Sequence, residues 1–458
     1  MNQTDSGSSA ATPGIGPNGL PRTVRSIAAH SAIWSSIALA VTTLTQIAAL
    51  SILGRLLDPS DFGLMGMAMT VIGLFGGMSN LGLSNAIIQR QQITHNELHS
   101  LYIANVASGL LTAVVVLAVI PFATWYFHEP KVAQVLLALC VVFIVQGFGQ
   151  QFTALLRKNL LFRLLAVIDV AGALASLVVG VLLALQHLGF YALVGQQVGQ
   201  IVIKTGILCV IGYRRWRPHW HFRWTELRSY LSFGLYQMGE RTFNMLANNV
   251  DYLIIGRFLG TTALGFYTVA YQLVTIPLNK INPVLTQFSF PVMSLLQGEN
   301  RRIADVYQRT LQLVVLVTLP LLIGLGLTAR PAILVLFGPR WESSVPLIQA
   351  LTLLGIFRCL NNLSGPVFLS KGRADFGFWQ HVIKAVVNGG VFYVAVQAGV
   401  RMLAWSYSLL VVIEFLIVLF WIRHLVGLRL GPFVRSLVPP MSAAAVMKRA
   451  SKPFWMAR

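Results

Sequence analysis

The chain has little charge, and most of the charge that it has is of one sign. Only 10% of its 458 residues are charged, whereas 56% are hydrophobic and the mean hydropathy is +0.70. Soluble domains are about 25% charged, so this composition excludes a soluble enzyme or a DNA-binding protein. The 34 Lys and Arg residues outnumber the 14 Asp and Glu residues. They lie mainly in short loops between apolar runs, which indicates membrane topology rather than nucleic-acid binding.

Cysteines and enzyme motifs are also scarce. The three cysteines, Cys140, Cys209 and Cys359, lie far apart in apolar runs, which argues against a disulfide framework and against a zinc site. The chain has no GxSxG, HExxH or P-loop motif, so we expect neither an enzyme nor a bound cofactor. Asp58 and Asp61 belong to a DPSD sequence, which a proline-containing turn explains better than a metal-binding DxD motif.

Long apolar runs are what the chain has in abundance. A membrane-spanning helix needs about 20 apolar residues, and twelve segments have roughly this length. They are too long and too uniformly apolar for the strands of a β-barrel, so we predict an all-α polytopic membrane protein. The predicted spans are residues 27–53, 64–88, 101–127, 132–155, 164–186, 190–213, 231–255, 264–290, 310–336, 345–369, 376–399 and 402–422.

The basic residues of the loops predict the orientation of the chain. With the N-terminus inside, most Lys and Arg residues of the loops and tails face the cytoplasm, as the positive-inside rule requires. An even number of spans then places the C-terminus inside as well. The predicted parts are a disordered basic tail without a signal peptide (1–26), a first lobe with spans one to six (27–213), a basic linker (214–230), a second lobe with spans seven to twelve (231–422) and a basic cytoplasmic or interfacial tail (423–458).

The two halves of the chain repeat each other at an offset of 202 residues. The segment GRLLDPSDFGLMGMAM from Gly54 aligns without a gap with GRFLGTTALGFYTVAY from Gly256, and the register holds from residue 34 to residue 80 of the first half. Each half has six spans, so the repeat is parallel, with its axis along the membrane normal. Such repeats are typical of transporters that bind their substrate between the lobes. We therefore expect about 12 transmembrane helices in two six-helix lobes around a central cavity.

Two segments resemble a known family. LGRLLDPSDFGLMGMAMTVIGLFGGMSNLGLSNAIIQR (53–90) resembles the first helix-pair signature of bacterial polysaccharide flippases of the Wzx type, and DYLIIGRFLGTTALGFYTVAYQL (251–273) is similar to their seventh- and eighth-helix signature. These flippases belong to the multidrug/oligosaccharidyl-lipid/polysaccharide (MOP) exporter superfamily, and the chain resembles in particular the colanic-acid and teichuronic-acid exporter branch. The resemblance implies a MATE-like fold in the bacterial inner membrane. The implied partners are a lipid-linked oligosaccharide, the membrane and the polysaccharide polymerase or export machinery, but no nucleic acid.

The end of the chain departs from that branch, whose members often continue with two more helices. The apolar run at 433–447 is interrupted by Pro439 and Pro440 and is followed by Lys448 and Arg449. We expect an interfacial or truncated tail, and a partial thirteenth helix stays an open alternative.

Polar side chains inside spans are costly, and they are therefore candidates for function. Span seven carries a stripe of them at steps of four and three residues, which places the stripe on one helix face that must meet protein or water. The predicted cavity residues of this and other spans are Gln237, Arg241, Asn244, Asn248, Asn279, Lys280, Asn282, Arg358, Lys384 and Lys204. The candidates for coupling transport to protons or sodium are Asp169, Asp251 and Glu414, for which a structural role is an equal alternative.

The chemistry of this set suits a lipid pyrophosphate that carries a sugar chain. Arginine binds phosphate oxygens in a fork and lysine binds them as a point charge, while Asn and Gln suit sugar hydroxyls. Arg241 is the sharpest candidate, because Glu240 points about 100° away on the same helix and is a poor partner for it. The aligned positions of span one are uncharged, so we expect the charge to be concentrated in the second lobe. Arg55 and Arg257, which the repeat pairs, are expected to cap helix ends.

The predicted function is the flipping of undecaprenyl-pyrophosphate-linked oligosaccharide repeat units by alternating access through a cationic central cavity. One alternative is an ion-coupled multidrug exporter of the same superfamily, whose cavity should carry acidic and aromatic residues. A polysaccharide polymerase or ligase is a second alternative, although the longest predicted outer loop is only the segment 337–344. A membrane scaffold is a third, although it would not need polar stripes inside its spans.

Overall fold

The computed structural model describes residues 22–79, 87, 93–296 and 298–428. Within these ranges it describes no side chains at residues 22–32, 226, 228–237, 240–241, 281–288, 290–291 and 374–378. The apolar run at 433–447, and the predicted N-terminal tail up to residue 21, lie outside the described residues.

Each apolar run predicted to span the membrane lies wholly or mainly on helices. Backbone polar groups find no partners in hydrocarbon, so a helix is the way for a single apolar run to satisfy them. In chain order, the helices of the described residues are α1 (Arg22–Leu56), α2 (Pro59–Ser79), α3 (His95–Phe127), α4 (Lys131–Lys158), α5 (Phe162–Leu185), α6 (Tyr191–Arg215), α7 (Trp224–Leu295), α8 (Asn300–Leu327), α9 (Ala329–Leu336), α10 (Val345–Asn361), α11 (Ser364–Ser370), α12 (Ala374–Ala395) and α13 (Val400–Val426).

Helix α7 contains two of the predicted spans. Its 72 residues would measure about 108 Å as one straight helix, against roughly 30 Å of hydrocarbon. The backbone leaves the helical conformation at Asn249 and again at Gly260, where φ is +78°. Glycine adopts a positive φ without strain because it has no Cβ, so the chain changes direction at Gly260. The structure has 11 candidate spans among its described residues. One of them, Thr242–Lys280, contains the break at Gly260 and so comprises two spans. Counted in this way, the number of spans is the twelve predicted from the sequence.

The helices form two groups that correspond to the two predicted lobes. In the first group α3 packs on α4, α5 on α6, and α1 on α5. In the second group α10 packs on α13 and α8, and α7 packs on α12 and α10. The most extensive contact between the groups joins α2 to α7. The repeated GR motif lies in α1 and in α7. The space between the lobes is therefore bounded by α1, by α2, which follows the first motif, and by the part of α7 that carries and follows the second.

Small residues let helices of the same lobe approach each other closely. A Cβ added to Gly109 of α3 would lie 2.5 Å from the carbonyl oxygen of Phe143 in α4, and one added to Gly147 would lie 3.0 Å from that of Asn105. Next to the second contact, the side-chain amide of Asn105 donates to Oε1 of Gln151 at 3.3 Å. Close backbone packing and buried amide hydrogen bonds stabilise helix pairs in lipid, which is as apolar as the helices themselves.

Candidate functional site

A cavity of about 510 Å³ lies between the two lobes. We call it the central cavity, and its volume falls within the range of about 300–1,000 Å³ that is usual for small-molecule sites. Amide and hydroxyl side chains predominate in its lining, and Lys280 is the one charged side chain among the described residues that line it. The polar lining consists of Thr42, Thr45, Gln46, Thr70, Ser176, Gln196, Gln197, Gln200, Asn249, Tyr252, Thr268, Gln272, Thr275, Asn279 and Lys280.

A second cavity of about 600 Å³ adjoins the central cavity inside the first lobe. We call it the N-lobe recess; the two cavities share Gln197, Gln200 and Met245 as walls. The rest of its lining is Gly73, Gly76, Gly77, Gln146, Gly149, Gln150, Thr153, Ile201, Lys204, Thr205 and Leu208. Lys204 is charged, but its Nζ lies 2.6 Å from Oδ1 of Asp169. The charge of this predicted cavity residue is thus neutralised by a residue that was predicted to couple ions.

In the predicted stripe of span seven, Asn244 and Asn248 lie beside helix α12 and do not line the central cavity. Nδ2 of Asn244 lies 3.3 Å from Nε2 of His381, and Asn248 donates its amide to Oδ1 of Asn244 at 2.6 Å. The side chains that this part of α7 presents to the cavity are one residue further along, at Met245, Asn249 and Tyr252. Periodicity defines a polar face, but the packing of α7 between α2 and α12 decides which neighbour that face meets.

Other predicted cavity residues of α7 have mixed outcomes. Asn279 and Lys280 line the central cavity, and Lys280 has no ion-pair partner within the described part of the chain. The side chains of Gln237, Arg241 and Asn282 lie outside the described residues. Their role in binding stays a prediction.

Arg358 and Asp251 lie in a cluster of tyrosines inside the second lobe and are not among the residues that line the central cavity. Asp251 is fully buried, and its Oδ2 accepts a hydrogen bond of 2.5 Å from Tyr267. Arg358 donates Nη1 to the hydroxyl of Tyr271 and lies over the ring of that tyrosine, with its Cζ 5.8 Å from the ring centroid. Arg358 and Oδ2 of Asp251 thus have protein partners, whereas Oδ1 of Asp251 has no hydrogen-bond partner among the described residues.

Lys384 and Glu414 form a largely buried ion pair in the same lobe. Nζ of Lys384 lies 3.3 Å from Oε2 of Glu414, and the two side chains are only 12% and 18% exposed. Gln380 donates its amide to the other carboxylate oxygen at 3.0 Å. Lys384 and Arg358 thus have partners within the second lobe, and neither lines the central cavity, whereas Lys384 and Glu414 line a separate cavity of about 410 Å³ in that lobe. The physical reason is that an unpaired charge inside a span costs at least about 2.5–3.5 kcal/mol, so pairing within the protein is favoured.

Helix α2 and the part of α7 that follows Gly260, which we call its second arm, close the end of the central cavity that is remote from Lys280. A Cβ added to Gly63 would lie 1.8 Å from the carbonyl oxygen of Thr261, and one added to Gly265 would lie 1.8 Å from that of Pro59. Residues 59 and 261, like 63 and 265, are related by the 202-residue repeat. The same glycine contact is therefore made twice, once by a glycine of each lobe on the backbone of the other lobe. The basic residues of the loops predict that this end of the protein faces outside.

Two repeat-related arginines tie this end together across the lobes. Arg55 donates Nε to the carbonyl oxygen of Leu336 at 3.1 Å, and Arg257 donates Nη1 to that of Tyr126 at 2.6 Å. Leu336 is the last residue of α9, and Tyr126 is in the last turn of α3. Each arginine thus places its charge at the negative C-terminal end of a helix in the opposite lobe. The expected helix capping is present, but it joins the lobes.

The chain matches a known family over most of its length. Residues 52–346 match the family described as "Polysaccharide biosynthesis protein". The chain is 32% identical over 418 residues to the teichuronic acid biosynthesis protein TuaB of Bacillus subtilis (strain 168), which covers 90% of this chain and 86% of that protein. It is 30% identical over 364 residues to the lipopolysaccharide biosynthesis protein WzxC of Escherichia coli (strain K12), covering 78% and 74%. The chain belongs to this family of Wzx-like polysaccharide exporters.

Solved structures show that this Wzx-like exporter has the fold of the MOP superfamily. The lipid II flippase MurJ in an inward closed conformation matches with a TM-score of 0.74 at 13% identity, over 91% of this chain and 93% of that chain. An inward-facing multidrug resistance MATE transporter of the MOP superfamily matches with a TM-score of 0.66 at 14% identity, over 86% and 98%. The predictions of the family, of an all-helical MATE-like membrane fold and of a transporter rather than an enzyme are confirmed.

Proposed function

We propose that this exporter flips undecaprenyl-pyrophosphate-linked oligosaccharide repeat units from the inner to the outer leaflet of the bacterial cytoplasmic membrane, with both chain termini inside. The central cavity is the observation that carries the proposal. It is a polar space between two repeat-related lobes, and it is closed at the predicted outer end. The names of the relatives, which refer to teichuronic acid and lipopolysaccharide biosynthesis, support a polysaccharide precursor as the cargo.

The lining of the central cavity suits both parts of such a headgroup. Each amide of Gln46, Gln272 and Asn279 offers donors and acceptors, which sugar hydroxyls require. Lys280 supplies a cation for the pyrophosphate, and as a compact point charge it can follow the phosphate as the cavity changes shape. The described lining contains no acidic side chain, so it does not favour a cationic drug.

Transport in this proposal proceeds by rocking of the two lobes about the bound headgroup. The outward-facing state requires α2 and the second arm of α7 to separate at Gly63 and Gly265, and the two arginine contacts across the lobes to break. Because these contacts are copies of each other, they open together when the lobes rotate about the repeat axis.

Lipid-linked intermediates in a deletion strain test the proposed function. Complete repeat units should accumulate on the cytoplasmic side of the membrane, and surface or secreted polysaccharide should be lost. Units on the outer leaflet at wild-type levels, or no assembled unit at all, would contradict it, the second result pointing to an earlier enzymatic step.

The role of Lys280 can be tested in the same strain by complementation. Lys280→Ala should reduce polymer export by about tenfold or more, since charge-assisted hydrogen bonds contribute about 1.5–3 kcal/mol, whereas Lys280→Arg should retain most of it. Lys131→Ala, which changes an exposed lysine at the start of α4, is the matched control and should export normally. Normal export by Lys280→Ala at the wild-type protein level would remove this lysine from the phosphate site.

A further inference from the structure

The N-lobe recess is a hollow polar space inside a membrane protein, and it requires an explanation. Four glycines and four glutamines contribute to its lining, and no hydrocarbon chain can satisfy the amides. Gln150 donates Nε2 to the carbonyl oxygen of Ser79 at 3.1 Å, but its Oε1 has no hydrogen-bond partner among the described residues. The recess must therefore hold water or a polar ligand that exchanges with water.

The charge of the recess excludes an anion as its specific ligand. Its charged side chain, Lys204, is paired with Asp169 at 2.6 Å. The remaining polar lining consists of amides and hydroxyls, which offer donors and acceptors in similar numbers. This pattern matches a ligand that is rich in hydroxyl groups, whereas the pyrophosphate matches Lys280 in the adjoining central cavity.

The backbone of α2 keeps the recess open. A Cβ added to Gly76 would meet no atom within 4 Å, so it would project into empty space. The residue that the 202-residue repeat aligns with Gly76 is Leu278, and its side chain is buried, with only 2% exposed. The same position is thus filled in the second lobe and hollow in the first.

We infer that the N-lobe recess is the binding site for the sugar chain of the lipid-linked substrate, while the pyrophosphate stays in the central cavity beside Lys280. The inference rests on the proposed function and deepens it. The walls shared by the two cavities, Gln197 and Gln200, lie where the chain passes from one to the other. The length of glycan that the exporter accepts is then limited by the recess, and the first sugar, next to the pyrophosphate, does not reach it.

The substitution Gly76→Leu tests this inference, because it copies the second lobe and places a side chain in the recess, where its Cβ meets no atom within 4 Å. Its matched control is Gly206→Leu on α6, where an added Cβ also meets nothing within 4 Å but the residue is exposed on the outside of the helix bundle. Both variants of the full chain would be purified in lipid nanodiscs. Binding would be measured by native mass spectrometry with undecaprenyl-pyrophosphoryl-N-acetylglucosamine and with the complete lipid-linked repeat unit extracted from the host.

Gly76→Leu should bind the complete repeat unit about tenfold more weakly than the wild type and should bind the monosaccharide lipid equally well. Gly206→Leu should bind both as the wild type does. Unchanged binding of both lipids by Gly76→Leu, or equal loss of both, would overturn the inference. A wild-type chain that binds neither lipid would instead overturn the proposed function.

A second variant keeps the test valid if Gly76→Leu does not fold. Gln146→Met retains the length of the side chain but removes an amide from the recess wall. It should weaken binding of the complete repeat unit about three- to tenfold, as expected for the loss of one hydrogen bond, with the monosaccharide lipid unaffected. Wild-type binding of the complete unit by Gln146→Met would count against the recess as the glycan site.

Discussion

The interiors of the two lobes differ, although their sequences align at the start of each half. In the first lobe the N-lobe recess is lined mainly by glycines, amides and hydroxyls, and its one charged side chain, Lys204, is paired with Asp169. The second lobe contains the tyrosine cluster of Asp251 and Arg358 and the pair of Lys384 and Glu414, and this pair lines a cavity of about 410 Å³ with mostly apolar walls. The two lobes have the same arrangement of helices but different interiors, because the side chains at equivalent positions differ.

The outer end shows the opposite behaviour, because there the two lobes are used symmetrically. The glycine contacts and the arginine contacts are each made twice, once by each lobe on the other. The repeat is therefore retained where the two lobes contact each other at the outer end, and it is lost in their interiors.

Overpacking one glycine contact should have the largest effect and would break the symmetry of the outer end. In Gly63→Leu the new side chain meets the backbone of Thr261, which cannot move aside without separating the helices. We expect polymer export to be lost and the outer end to stay open. Cross-linking of Asp58→Cys with Arg340→Cys, whose native side chains form a cross-lobe ion pair of 3.4 Å, measures closure in a chain whose three native cysteines are replaced.

The same cross-link provides the control for this prediction. Gly206→Leu adds the same side chain on the outside of the bundle and should leave both cross-linking and export unchanged. Efficient cross-linking and normal export in Gly63→Leu would show that the outer end does not close through this contact.

Removing one member of the buried ion pair should have the next largest effect and tests whether the interior of the second lobe is structural. Lys384→Met leaves Glu414 buried without its partner, and breaking such a pair costs about 3–5 kcal/mol. We expect a lower thermal unfolding temperature and a lower protein level in the membrane. The double variant Lys384→Met with Glu414→Leu should recover both, since two apolar side chains replace the pair without leaving a buried charge.

Export by that double variant separates a structural lysine from one that binds phosphate. Recovery of export together with stability would support the contrast drawn between the lobes. A stable double variant that exports nothing would indicate that Lys384 contacts the substrate, as the sequence analysis predicted.

Loss of one arginine contact should have the smallest effect. It tests whether the two contacts contribute equally to closure of the outer end. A charge at a helix end contributes about 0.3–2 kcal/mol, so Arg55→Gln and Arg257→Gln should each slow the Asp58→Cys/Arg340→Cys cross-link several-fold. Because the two contacts are copies, their effects should agree within about twofold, and the double variant should show the product of both. An effect confined to one arginine would mean that the lobes close unequally.

The spans and the repeat could be predicted from the sequence because they depend on local properties. Hydrocarbon requires about 20 apolar residues per helix, and such runs are visible without any knowledge of neighbours. The cavity face of α7 could not be predicted in the same way. The polar stripe of Asn244 and Asn248 is present, but it packs against α12, and the cavity receives Asn249 from a point where the helix breaks.

The cavity residues of the first lobe could be recognised only weakly from the sequence, because they are polar but uncharged. Thr42 and Gln46 are the repeat equivalents of Asn244 and Asn248, and they line the central cavity although their equivalents do not. The prediction instead favoured the second lobe, because its spans carry charged residues and an ionisable group inside a span is a candidate for function by default. The tertiary structure instead gives Arg358 and Lys384 protein partners, which a linear pattern cannot show.

The sequence by itself determined that this protein is a helical membrane transporter with repeated halves, because hydrophobic length, loop charge and the GR motifs act within one segment or between aligned segments. Only the tertiary structure decided which polar groups meet each other and which meet an open space. That decision depends on helix rotation and on contacts between residues as distant in sequence as Arg55 and Leu336. A position such as Gly76 has no meaning along the chain alone, since its missing side chain matters only because nothing else fills the recess beside it.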